Sequence, residues 1–278
     1  MAIYFGSNIV KPVFGSTGPG FDPDASAFIT ATGISGTDAT AINTLVVDLK
    51  SYGIWNKMEV IYPFIGGTAD TNKYNLIDPQ DTDGAYRIDF QGTWVHDVSG
   101  SRATTNATYG NTFFNPSTYS DIATGMSWGY YEITGPAPAY TDKYNFGAYV
   151  NNSAFFSIEE RTSEIDPKYC ANNGLFRVSF SSLSNERQGF RQFSSSGSAS
   201  GVASLSNANG TAETTNTPLG GYPNLNFYVG NLNLNNSTYN NDRNYLAFAY
   251  MGTPLTSQER ADYFTSVQTF QTTLGRQH

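Results

Sequence analysis

The residues of this 278-residue sequence that could do chemistry are few and of limited kinds. An acidic run, Asp78-Pro79-Gln80-Asp81-Thr82-Asp83-Gly84, sets the carboxylates of Asp78, Asp81 and Asp83 close together in a turn-forming segment. Oxygen donors so placed suit calcium, which takes six to eight oxygens, although the distal bidentate Glu of an EF-hand is missing. Calcium is therefore the one cofactor the sequence leaves open, against the plainer reading of a solvated turn. A second acidic pair, Glu160 and Glu164, flanks Arg161-Thr162-Ser163. Glycoside hydrolysis needs two carboxylates about 5 to 9.5 Å apart. On a straight strand of ~3.3 Å per residue these two stand about 13 Å apart, and only a bulge would bring them into range. The two histidines are His96 and His278 and the single cysteine is Cys170, which excludes disulfide scaffolds and Cys/His zinc sites. His96 adjoins Asp97 but has no nucleophile elbow nearby, so it reads as a strand-end residue, and Cys170 reads as a small buried hydrophobe. The sequence assigns no catalytic residue.

What the chain has in quantity is rings and amides, with 19 Tyr, 19 Phe and 27 Gly. Sugars are held by an aromatic ring under the apolar face of a pyranose, with amides and hydroxyls around it. Tyr130-Tyr131, Tyr140 with Tyr144, and the Asn-rich segment 231–244 with Asn235 and Tyr239 are the glycan-binding candidates. Against them stands the ordinary role of strand aromatics as core and of Asn clusters as turns. Trp55, Trp94 and Trp128 are assigned to the core. Lys plus Arg is 15 and Asp plus Glu is 23, a net charge of −8, which speaks against nucleic acid and anionic membrane surfaces as partners. No run approaches the ~18 apolar residues of a membrane helix, and the first residues carry no secretory signal pattern, so no membrane insertion is expected and synthesis in the cytoplasm is.

The elements that would position these residues are mostly strands. Residues 1–20 read as an arm of two extended pieces whose Ile3, Tyr4, Phe5, Val13 and Phe14 are costly to leave wet and call for docking, as an assembly arm, onto a sheet edge or a neighbouring subunit. Two helical patterns follow within 21–56. The first is capped by Asp22-Pro23-Asp24, carries Ala25, Phe28 and Ile29, and is stopped by Gly33; the second is capped by Thr37 or Asp38, carries Ala41, Ile42, Leu45, Val46 and Leu49, and ends at Gly53. From Lys57 the period becomes two, predicting strands over 58–65, 85–90, 93–96, 126–133, 144–150, 154–160, 175–181, 225–229 and 245–251. Asp83-Gly84, Asn172-Asn173-Gly174 and Asn209-Gly210 suit tight turns, and Ser194 to Thr217 reads as a long exposed loop or irregular strand pair. Thr256-Ser257-Gln258-Glu259 is a capping box opening a helix over 256–275 with Ala261, Phe264, Val267, Phe270 and Leu274 as its apolar stripe.

Three stretches together resemble bacteriophage virion proteins that carry a concanavalin A-like (laminin G-like) lectin domain. They are Ile3-Tyr4-Phe5-Gly6-Ser7 with Val13-Phe14-Gly15-Ser16-Thr17; Asp24 to Gly33 continuing through Ile42 to Lys50 and Ile61 to Thr68; and Leu246-Ala247-Phe248-Ala249 with Phe270 to Arg276. The resemblance implies a jelly-roll sandwich in a tail fibre, baseplate or capsid-decorating protein, with glycan contact and no catalytic residues. Its partners would be other virion proteins and further copies of itself, a trimer being the natural fibre symmetry, along with host-surface or environmental glycans. Glu160 to Glu164 is also similar to the Glu-x-Asp-x-Glu signature of laminarinase-like glycosidases, but Thr162 stands where the orienting Asp belongs. The expected fold is mainly β: a concanavalin A-like antiparallel β-sandwich (jelly roll) over 57–278, with an N-terminal arm, two short N-terminal helices and a C-terminal helix. The expected function is that of a non-catalytic virion structural protein with glycan binding; the alternatives are a depolymerase of the same sandwich class and a free-standing lectin.

Overall fold

The computed structural model describes residues 20–119, 125–133, 143–150, 154–160, 168–171, 188–196, 200–207, 210–216, 222–239 and 243–278. The arm residues Ile3, Tyr4, Phe5, Val13 and Phe14, Tyr140, the 175–181 strand, the Asn172-Asn173-Gly174 turn and Glu164 lie outside them.

Helices α1 (Pro23–Thr32) and α2 (Gly36–Ser51) open the described chain. The Asp22 carboxylate accepts from the Asp24 amide, Pro23 occupies the first turn, and Gly33 closes α1 in the left-handed region at φ 69. In α2 the cap falls on Ser35 rather than Thr37 or Asp38, with no side-chain capping bond, and Gly36 enters the helix in the left-handed region at φ 59. Strands β1 (Met58–Tyr62), β2 (Asp89–Gln91), β3 (Trp94–Asp97), β4 (Gly100–Ala103) and β5 (Tyr109–Asn111) follow, with the one-turn helix α3 (Ala69–Asn72) after β1. Then come β6 (Ser127–Ile133), β7 (Lys143–Val150), β8 (Ala154–Glu160), β9 (Lys168–Ala171), β10 (Gly189–Ser196), β11 (Ser200–Asn207) and β12 (Gly210–Asn216). The chain closes with β13 (Tyr228–Val229), β14 (Leu232–Leu234), β15 (Ser237–Tyr239), β16 (Tyr245–Gly252) and α4 (Ser257–Thr273).

These strands form two eight-stranded sheets, so the chain is the mainly β sandwich expected. One sheet runs β12-β11-β10-β6-β16-β4-β3, with β1 also on β16; the other is built on β7, which pairs with β8, β13 and β14 and continues through β5 to β2. Trp128, Tyr130, Phe193, Leu246, Ala249 and Met251 of the first sheet meet Phe146 and Val229 of the second, with Ile88 just before β2, in one buried core. The opposite face of the first sheet is equally apolar. There Tyr131, Phe190, Phe248 and Tyr250 pack on Phe28, Ile42, Leu45 and Leu49 of the N-terminal helices and Tyr263, Val267 and Phe270 of α4. The first sheet is thus sealed on both sides, which explains why β6 is buried along its whole length. A register shift between Leu246 and Phe248 lets β16 send neighbouring residues to both cores.

The sequence reading errs where polar residues are buried. Across Ser194 to Thr217 the described strands, β10, β11 and β12, form a regular antiparallel meander, with Asn207 opposite Gly210. Its polar side chains are absorbed by the helical layer: Ser194 Oγ donates to Leu255 O at 3.0 Å and Gln192 Nε2 to Arg260 O at 3.1 Å. In α4 Val267 and Phe270 of the predicted stripe are buried and Phe264 and Leu274 pack against the same core, while polar residues join them. Arg260, Tyr263, Ser266, Val267, Phe270 and Gln271 are buried while Ala261 is exposed. Further strand limits shift at left-handed residues: β1 stops before Phe64 (φ 40), and 85–90 opens with a 3-10 turn ending at Tyr86 (φ 58). The capping box of α4 is present in both directions between Thr256 and Glu259, and Lys57 Nζ adds an ion pair to Glu259 at 2.6 Å. Thr256→Ala should lower stability by about 1 kcal/mol in a urea titration, with m unchanged.

Candidate functional site: the outer face of the second sheet

The second sheet has no helical layer among the described residues, and on its outer face Gln91 is exposed while Asp89, Tyr109 and Asn111 are half-buried. Register identifies that face. Phe90, Gly110, Val229 and Phe146 stand opposite one another across β2, β5, β13 and β7, and Val229 and Phe146 belong to the core. A Cβ on Gly110 would lie 2.5 Å from Val229 Cγ2 and 2.6 Å from Ile88 Cγ2, so β5 can approach the core only with glycine there. The next row therefore points outward, and it reads Asp89, Asn111, Tyr228 and Gly147. Gln91 and Tyr109 stand opposite each other one step further along, on the same side.

Those residues make a compact polar platform around two rings. Tyr109 and Tyr228 stack with centroids 4.3 Å apart and planes 22° from parallel. Tyr228 is the buried partner at 8% exposure, and Tyr109 is half-buried and covers it. Burial, with the Tyr109 phenol beside it, pushes the Tyr228 phenol up to about 12. Gln91 Nε2 donates to Asp89 Oδ2 at 3.0 Å, and Asn111 Oδ1 accepts from the Phe113 amide at 3.1 Å, where Phe113 sits at φ 59. Asn231 fixes the approach to β5 by donating to the carbonyls of Asn106 and Thr108, each at 2.9 Å. The platform thus offers a ring, a carboxylate and two amides on a rigid sheet, the chemistry of hydroxyl-rich ligands. Tyrosine neutrality works in the same direction for the fold. With the folded value near 12 above the ordinary 10.0, the stability Tyr228 lends is complete below pH 10 and is lost as pH rises from 10 towards 12. Urea midpoints should therefore fall across that window, and Tyr228→Phe should flatten part of the fall.

The residues nominated from sequence are dispersed. Tyr130 and Tyr131 are corrections: both lie in β6 at 0% exposure, Tyr130 in the intersheet core and Tyr131 under the helices, where its hydroxyl donates to His278 O at 3.0 Å. Neither ring has a face to offer a sugar. Tyr239 is 41% exposed on β15, its ring 6.0 Å from that of Tyr144, on the same sheet as the platform. Asn235 is exposed, and its φ of 49, followed by 65 at Asn236, shows that it serves the tight β14–β15 turn. Trp128 is core as expected, whereas Trp94 and Trp55 are only partly buried. Tyr109 and Tyr228 escaped the sequence reading because they lie in strands of three and two residues, too short for a period to show.

The acidic run is also corrected. Asp81 pairs with Lys73 at 2.8 Å and Arg87 at 3.2 Å, Asp83 pairs with Arg87 at 2.8 Å, and Asp78 accepts from Gln80 Nε2 at 2.9 Å. The Asp81 and Asp83 carboxylates are consumed by cations and Asp78 is engaged by an amide, and among the described residues no group of three or more His, Cys, Asp or Glu side chains could hold a metal ion. Adding calcium, or removing it with chelator, should leave the melting temperature unchanged in differential scanning fluorimetry.

Other chemistry on the described surface is structural. His96 lies within β3, its Nδ1 2.9 Å from Ser101 Oγ, but Ser101 is wholly buried and Asn72 Nδ2 donates to the same oxygen at 2.9 Å. Burial holds the His96 imidazole below its ordinary value, with Asp97 opposing. Glu132, the fully buried carboxylate among the described residues, faces Arg191 at 3.0 Å and accepts from Asn244. Two clefts of about 330 and 320 Å³ lie on the helical side, one along α4 and one between Thr37, Gly67 and Arg276. Arg276 in the second is committed to the chain: it donates to Phe64 O (2.8 Å), Pro63 O (2.9 Å), Ala247 O (2.9 Å) and Gln271 Oε1 (2.5 Å). No helix among the described residues is long and apolar enough to cross a membrane.

No family model matches the chain, and no curated protein matches it by sequence. Among solved structures the chain is similar to domain 4 of a GH43 extracellular arabinanase from Geobacillus stearothermophilus, in complex with arabinotriose. That match has 13% identity and a TM-score of 0.50, over 75% of this chain and 98% of that domain. It is also similar to Trypanosoma rangeli sialidase in complex with 2,3-difluoro-KDN, at 10% identity and TM-score 0.52, over 83% of this chain and 40% of the sialidase. The chain thus matches almost the whole of one accessory domain and less than half of the larger enzyme. At such identities the likeness establishes the sandwich fold.

Proposed function

We propose that this chain is a non-catalytic glycan-binding sandwich, and that it serves as a structural component of a bacteriophage virion. The observation that carries the glycan reading is the stacked Tyr109–Tyr228 pair, ringed by Asp89, Gln91 and Asn111 on the sheet that no described helix covers. The arabinanase domain, solved with arabinotriose, supports it as an example of such a sandwich holding a sugar. The non-catalytic reading rests on the carboxylates. Asp89 shares its outward row with an asparagine, a tyrosine and a glycine, and its other neighbour there is Gln91, so among the described residues the platform supplies no second carboxylate for hydrolysis. Glu132 is enclosed and held by Arg191. The virion setting, the assembly through residues 1–20 and the trimeric state rest on the sequence resemblance. The net charge of −8 fits a surface that avoids nucleic acid.

A glycan array read together with molar mass by light scattering tests both halves. Saturable glycan binding by a stable oligomer is expected. Binding by a monomer would replace the virion component by a free-standing lectin, and release of shorter sugars from a bound polysaccharide would make the protein a depolymerase.

A further inference from the structure

Resting on the glycan-binding reading, we propose that the platform selects electrically neutral glycans and rejects acidic ones, with Asp89 as the specificity-determining residue. Recognition of uronates, sialic acids or sulfated sugars is favoured by a cation with free donors beside the stacking ring. The charge layout of this sheet supplies the reverse. Its strands hold two lysines and no arginine, and the register places Lys143 opposite Glu160 and Lys168 opposite Glu159. Arg87, two residues before Asp89 and across Ile88 of the core, is the nearest guanidinium in sequence, and it is tied to Asp83 and Asp81. Lys73 is tied to Asp81 in turn. Among the described residues the acidic run thus ties up Lys73 and Arg87, and Asp89 is the charged member of the outward row.

Asp89 is also oriented for neutral sugars. One of its oxygens is engaged by Gln91 Nε2, which steadies the carboxylate within the row that carries Asn111 and Tyr228. A carboxylate accepts hydrogen bonds from vicinal hydroxyls, and the flanking amides of Gln91 and Asn111 complement it as donors and acceptors. The same carboxylate close to a sugar carboxylate or sulfate weakens binding by about tenfold or more at low ionic strength, an effect that salt screens.

Affinity electrophoresis of the purified chain through neutral polysaccharides (arabinan, xyloglucan, dextran) and acidic ones (polygalacturonate, xanthan, polysialic acid), at low and high salt, tests this. The expected result is retardation by a neutral polysaccharide and at least tenfold weaker binding of every acidic one. Asp89→Asn should narrow that gap and Asp89→Lys should reverse it. Acidic polysaccharide bound as tightly as neutral, with binding abolished by Tyr109→Ala, would overturn the neutral selectivity and leave the glycan face standing. No binding to any of the six would overturn the glycan-binding reading and this one with it.

Discussion

Replacing Tyr109 by alanine is expected to abolish glycan binding while leaving the fold intact. The ring is half-buried and covers Tyr228 at 4.3 Å, so truncation removes the stacking surface and uncovers a second ring that sits lower in the sheet. Aromatic anchors at the centre of a contact cost about 2 kcal/mol or more when truncated, a loss of roughly thirtyfold in affinity. Tyr109→Phe keeps the ring and should retain most of the binding. Circular dichroism melts on both variants separate binding from folding. A fall in affinity shared equally by Ala and Phe would place the contact on the hydroxyl and not the ring.

The largest effect on stability is expected at Arg276. Its guanidinium is 6% exposed, lies 5.5 Å over the Phe270 ring, and gathers carbonyls from Pro63, Phe64 and Ala247 together with the Gln271 amide. Burial pushes its ionisation below the ordinary value, while those acceptors hold the charge in a group that stays protonated in proteins. Arg276→Met would leave three buried carbonyls without that donor. Each charged hydrogen bond is worth about 1.5 to 3 kcal/mol, so a net loss of about 3 to 5 kcal/mol is expected after repacking, read as a fall in urea midpoint. Arg276→Lys should rescue little, since one ammonium cannot span the same fan of acceptors.

Arg276 also shows why part of the molecule is hidden in the sequence. As a lone cation after Gly275 it carries no local signature, because its partners lie more than two hundred residues away at Pro63 and Phe64. The elements written in local chemistry were legible: Asp22-Pro23 before α1, Thr256 to Glu259 before α4, and the apolar runs of β6 and β16. Those whose polar residues are satisfied by another layer were not. Ser194 reads as the start of a loop or irregular strand pair, and Gln192 falls in no predicted element, because their acceptors, Leu255 O and Arg260 O, belong to the helical end of the chain. The platform itself was not legible. Tyr239 and Tyr144 were drawn from ring-rich segments of the right sheet, but Tyr109, Asn111 and Tyr228 come together only through the pairing of β5 with β13.

Hydrogen exchange measured by mass spectrometry, with and without a saturating oligosaccharide drawn from the glycan array, addresses the central claim most directly. Protection confined to peptides covering 89–91, 109–113 and 226–230 is the predicted result. Protection centred on α4 or the cleft at Arg276, with those three peptides unchanged, would contradict the assignment of the outer sheet face as the binding site.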